Sequence, residues 1–176
     1  MRKTILILLF TLVPALFFGQ SIIDKFEGQD DVTSVVINKK MFELMSNMKV
    51  ENSDKETQQY LELIKKLENL KVYSTTSKRV TSEMRTAYGK YLKSTGLEEL
   101  ISMNESGSSI KIAVKSAAGD TKIKEVLMFM EGSSDQEPSI LMSLTGSFDL
   151  NEISTLTDRM RIPGSEEFKN VTKQKL

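Results

Sequence analysis

The spacing of apolar residues along the chain changes period once, at Gly96. Before it, helical stripes alternate with short β-branched runs. Ser21 is placed to cap a short helix carrying Ile22, Ile23 and Phe26, ended by Gly28 and the acidic pair Asp30 and Asp31. Residues 32–37 (VTSVVI) are rich in β-branched side chains and predict a strand. Asn38 then caps a helix whose Met41, Leu44, Met45 and Met48 fall at helical spacing. Ser53 and Glu56 form a capping box before a second stripe of Tyr60, Leu63, Ile64 and Leu67, supported by a Glu62–Lys66 pair. Residues 71–76 (KVYSTT) predict another strand. Val80, Met84, Ala87, Tyr88 and Tyr91 mark a third helix over 78–93, which Gly96 ends.

After Gly96 the period falls to 2. Residues 100–105, 109–116, 122–131 and 139–145 read as four strands, separated by Gly- and Ser-rich turns. Short connections make them antiparallel neighbours. Asp149 is placed to cap a last helix, with Glu152 at its third position and Ile153, Leu156 and Met160 inward. Pro163 and Gly164 end it. The pattern predicts an α+β fold. A mainly antiparallel sheet combines a four-strand C-terminal meander with one or two N-terminal strands, and helices pack mainly on one face.

The N-terminus has a different character. Arg2 and Lys3 precede the apolar run ILILLFTLVPALFF at residues 5–18, which is followed by Gly19 and polar Gln20. That is the layout of a secretory signal peptide, and the run is short for a membrane span of about 20 residues. The expected organisation is a cleaved signal at 1–19, one domain at 20–162 and a flexible tail at 163–176. Its location is the periplasm or the exterior, with no membrane anchor after cleavage. The chain of 176 residues holds 24 basic and 24 acidic side chains. Losing Arg2 and Lys3 leaves 22 basic residues and a net charge of −2. No basic excess of the kind that drives nucleic-acid binding remains.

Composition narrows the chemistry further. There is no Cys and no His. That removes disulfides, thiolate nucleophiles, sulfur-built metal sites, lipid attachment through Cys and any Ser-His-Asp triad. Serines are plentiful, but no S-x-x-K or G-x-S-x-G element stands in a strand-turn-helix context. The acidic cluster Glu27, Asp30 and Asp31 lacks the ligand spacing of a calcium loop. Asp135 and Glu137 likewise read as solvated loop carboxylates. No catalytic, metal or cofactor residue is assigned.

Two surfaces stand out. A four-residue loop at 117–120 sets Lys115 opposite Lys122, and puts Ile110, Ile112 and Val114 on a face with Ile123, Leu127 and Phe129. The other face then carries a candidate basic patch of Lys111, Lys115, Lys122 and Lys124. Further along it, Val126, Met128 and Met130 lie opposite Leu144, Met142 and Ile140. These six make the sheet apolar on both sides. Three readings compete: a covering helix, a register-shifting bulge, or a partner or dimer surface.

The stretches VTSVVINKKMFELM, LEELISMNESGSSIKIAVK, IKEVLMFMEG and ILMSLTGSFDLNEISTL together resemble an exported Bacteroidota family catalogued as domain of unknown function 4252. The resemblance runs from Ile23 to Arg161. It implies the α+β fold and supplies no catalytic residues. Some members carry a lipid-attachment Cys that this chain lacks. Genes of the family are often found near extracytoplasmic sigma and anti-sigma factors, which implies at most an envelope-sensing or accessory role. The function expected is therefore a non-enzymatic exported domain acting by contact with an envelope protein or with itself. The alternatives are a carrier of small apolar ligands or lipids and, lower, a hydrolase.

Overall fold

The computed structural model describes residues 22–47, 54–105, 107–116, 122–149 and 152. The expected signal at 1–19, the body of the last helix and the tail at 163–176 lie outside them. A 3-10 turn at Asp24–Phe26 comes first. Strand β1 (Thr33–Asn38), helices α1 (Lys39–Ser46) and α2 (Lys55–Lys65), strand β2 (Leu67–Thr75) and helix α3 (Lys78–Thr95) follow. Strands β3 (Glu98–Glu105), β4 (Ser108–Ser116), β5 (Ile123–Glu131) and β6 (Ser139–Phe148) complete the described chain. All six strands join one antiparallel sheet in the order β1-β2-β6-β5-β4-β3. The fold is α+β and mainly sheet.

Local chemistry explains most boundaries. The Asn38 side chain accepts the Met41 N–H at 3.1 Å and turns strand β1 directly into α1. Asp54, rather than Ser53, caps α2: its carboxylate accepts the Thr57 N–H at 2.7 Å. Gly96 ends α3 at φ +69°, a conformation costly for residues with a Cβ. Helix α2 stops one residue short of Leu67, which opens β2. There Leu67 pairs with Gly146 beside a bulge. A Cβ on Gly146 would sit 2.5 Å from the Lys66 carbonyl oxygen, so the close approach requires glycine. The expected Glu62–Lys66 pair is absent. Glu62 holds Lys65 at 2.6 Å, and Lys66 reaches across to Glu152.

Alternation along the central strands fills two cores. On one face Ile112, Val126, Met128, Met142 and Leu144 pack with Phe42 of α1 and Leu63 and Ile64 of α2. On the other, Ala113, Leu127, Phe129 and Leu141 pack with Val80, Met84, Ala87 and Tyr88 of α3 and with Ile23 and Phe26 of the N-terminal turn. Two of the three described helices thus share a face, and the longest covers the opposite one. Phe26 and Tyr73 close the second core at a ring distance of 5.9 Å.

The helical phase of α1 corrects the expected stripe. Phe42 is buried and Met45 packs inward, while Met41 and Leu44 face solvent. A two-turn helix with four apolar residues in KKMFELMS fits either phase, and Phe42, the largest of them, takes the core side.

Candidate functional site

The register of β4 and β5 decides the fate of both expected surfaces. Lys115 pairs with Glu125, not Lys122, and Ile110, Ile112 and Val114 pair with Met130, Met128 and Val126. The expected grouping with Leu127 and Phe129 is therefore overturned. Bulges at Lys115/Ser116 and at Ile123/Glu125 absorb extra residues. A slip by an odd number of positions sends every side chain to the opposite face. Ile123 does share the Ile112 core as expected.

That register also sets the surroundings of each lysine of the candidate basic patch. Lys111 is half-buried between Ser102 and Phe129 in the ladder. Lys115 is exposed across from Glu125, and Lys124 donates to Ser147 Oγ at 3.2 Å. Lys122 lies close enough to Glu152 to favour its ionised form. Burial acts to raise the Glu152 pKa. Its bonds to the Lys66 ammonium and the Asp149 N–H, with the charges of Lys66 and Lys122, outweigh that and hold it below the usual carboxylate range. The Asp149–Glu152 contact is one half of the expected capping box.

The six residues proposed as a partner surface form the β5–β6 ladder as expected: Val126 with Leu144, Met128 with Met142, Met130 with Ile140. They are not a surface. Val126, Met128, Met142, Leu144 and Ile140 are buried and Met130 is partly so, all packed in the core beneath α1 and α2. Of the three competing readings, helical cover on both faces accounts for the doubly apolar strands, and a register shift at bulges is present as well.

A polar cleft of about 370 Å³ lies between the first turns of α3 and the β5–β6 connection. Lys78, Thr81 and Arg85 line one wall, and Glu131, Ser133, Asp135 and Glu137 the other. Its cations are matched: Lys78 meets Asp135 at 2.8 Å and Arg85 forks onto Glu131. Ser133 donates through its backbone N–H and its hydroxyl to Glu137. Those two bonds, the hydroxyl's first, hold Glu137 below the usual carboxylate range. A solvated carboxylate of lowered pKa is a weak base, so the pair is poorly suited to activating the serine. The polar lining also differs from the apolar cavity a lipid carrier uses.

A buried polar network lies under α3. Glu125, only 8% exposed, accepts from Tyr91 Oη at 2.8 Å and Ser143 Oγ at 3.1 Å. Tyr88 donates to Glu99 at 3.0 Å. These bonds tie α3 to the sheet beneath it. Among the described residues no group of three or more acidic side chains is placed to hold a metal, and no described helix is long and apolar enough to cross a membrane.

The feature missed in the sequence is the β1 edge. Among the described residues strand β1 pairs with β2 only, and no described strand meets its outer row of backbone groups. It exposes two apolar side chains, Val35 (49%) on the α1–α2 face and Val36 (40%) on the opposite one, and Met41 (52%) and Leu44 (57%) of α1 are exposed as well. The segment TSVVIN holds no charge, proline or bulge. The far edge differs: β3 begins with exposed Glu98 and Glu99 and carries a bulge between Glu99 and Ile101. Charges and bulges are the usual guards of a sheet edge, and β1 has neither. The signal was present in VTSVVI, where apolar residues occupy consecutive positions and so face both sides.

Neither the curated proteins nor the solved structures contain a match to this chain. A family model does match, over residues 26–156, which take in every described strand. On that match the chain belongs to the family described as domain of unknown function (DUF4252).

Proposed function

We propose that this chain is an exported, non-catalytic binding domain that acts by protein–protein contact, as an accessory in envelope signalling. The observation that carries the reading is the unguarded β1 edge, on which Val35 and Val36 are exposed. Open main-chain donors and acceptors flanked by apolar side chains suit addition of a strand from a partner. The absence of His and Cys weighs the many serines and carboxylates toward structure. The segment of residues 1–19 supplies the export signal, and release after Gly19 leaves Gln20 as the first residue.

Fractionation of the native cell with sequencing of the mature N-terminus tests export: the account expects the protein outside the cytoplasm, beginning at Gln20. Native gels of that fraction, from cells making the wild type or Val36→Lys, test the contact. The wild type should migrate in an assembly that the variant fails to join. Equal migration of the two would remove support for the edge.

A further inference from the structure

We infer that the β1 edge takes a second copy of the same chain, pairing β1 with β1 across a two-fold axis to extend the sheet. This rests on the proposed reading of β1 as a contact surface and names its occupant. Charge at the two ends of the strand favours this occupant. The uncharged strand is flanked by exposed Asp30 and Asp31 at its start and exposed Lys39 and Lys40 at its end. An antiparallel pair of identical strands sets the acidic end of each copy beside the basic end of the other. The outer-edge hydrogen-bond pattern repeats every second residue, so facing residues must share parity. The strand's midpoint falls between Val35 and Val36, and of the two central registers that parity allows, the one that aligns Asp31 with Lys39 and Asp30 with Lys40 sets Val35 against Val35, Ser34 against Val36 and Thr33 against Ile37. No like charges oppose each other within the strand, and Val35 of both copies lies on the α1–α2 side of the joined sheet. Two flanking charges have intrachain neighbours that leave them exposed: Lys40 approaches Glu43 at 3.4 Å and Asp31 approaches Arg79 at 3.9 Å. The other edge has no such symmetry, since β3 opens on Glu98 and Glu99.

The test uses the purified protein, and the lack of native Cys keeps it clean. Sedimentation over a wide concentration range should show a monomer passing to twice its mass. Under mild oxidation Val35→Cys should give a covalent dimer much faster than Met103→Cys on the far edge. Lys39→Glu with Lys40→Glu should weaken dimerisation by at least about tenfold, as like charges then meet at both ends. A basic counterpart, Asp30→Lys with Asp31→Asn, should also weaken it, and mixing the two variants should restore association. Asn is chosen at 31 because that residue sits at φ +65°. A protein monomeric throughout, with Val35→Cys no faster than Met103→Cys, overturns the inference. So does a dimer indifferent to the charge reversals. If the purified protein is monomeric while Val36→Lys still loses an assembly in the native fraction, the contact reading stands and only self-pairing fails.

Discussion

Replacing Met128 by Ala tests the layering that separates core from contact surface. Met128 stands in β5 between Ile112 and Met142 and has no exposed surface. The change removes Cγ, Sδ and Cε. At about 0.8 kcal/mol per buried methylene-sized group, transfer alone is worth about 2 kcal/mol. The hole lies between two paired strands and beneath helices, where collapse is restricted, so the cavity adds about 1–2 kcal/mol. The total, about 3–4 kcal/mol, is a large share of the roughly 5–15 kcal/mol that holds a domain of this kind together. Urea unfolding followed by circular dichroism measures it, with Val36→Ala as the control. Val36 is substantially exposed, so its truncation should fall within about 0.5 kcal/mol. A loss below about 1 kcal/mol at Met128 with an unchanged denaturant slope would contradict its burial in a packed core. That face of the sheet would then not be packed, and the six-residue ladder would return as a candidate surface.

Other outcomes follow from the polar groups. Tyr91→Phe deprives buried Glu125 of a hydrogen bond and should cost about 1.5–3 kcal/mol in the same assay. Tyr73→Phe should act oppositely: its hydroxyl is buried and finds no hydrogen-bond partner among the described residues, so removing it should add about 1 kcal/mol. Burial first, then the charges of Asp24 and Glu27, push the Tyr73 pKa up to about 12. Burial, then the Glu99 charge and hydrogen bond, raise Tyr88 as well. Raised values mean that the folded state favours the neutral phenols. Their contribution is intact below about pH 10 and is lost as pH climbs through the folded values, by up to about 1.4 kcal/mol per pH unit for each. Ultraviolet titration should show both ionising only as the fold opens, and early ionisation of either would contradict their burial.

Much of this architecture is legible in the sequence because local chemistry sets it. Asn38 caps a helix wherever its side chain can reach the third amide. Gly96 ends one because few other residues tolerate its φ. The four C-terminal strands follow from period 2 and turn residues. What the sequence does not reveal depends on residues far apart. The β4–β5 ladder shifts at a bulge beside Lys115 and Ser116, and an odd slip exchanges Leu127 and Phe129 for Val126 and Met128. The phase of α1 depends on which side meets the sheet, and Phe42 decides it only once β2 and α2 are in place. Asp54 and Ser53 are both good caps, and the choice rests on where α2 docks. The open edge is a fact of strand order: among the described strands β1 pairs with β2 alone, and order is set by long-range pairing. Apolar residues alone, as in the ladder now buried under α1 and α2, do not tell core from contact.

The most direct test of the central claim is site-specific photo-crosslinking in the native cell. A photoreactive residue would replace Val36 on the open edge or Met103 on the guarded one, both exposed positions. The account predicts a discrete protein adduct from position 36 and none from position 103. Adducts from 103 alone, or from neither position, would contradict the assignment of β1 as the surface through which this domain works.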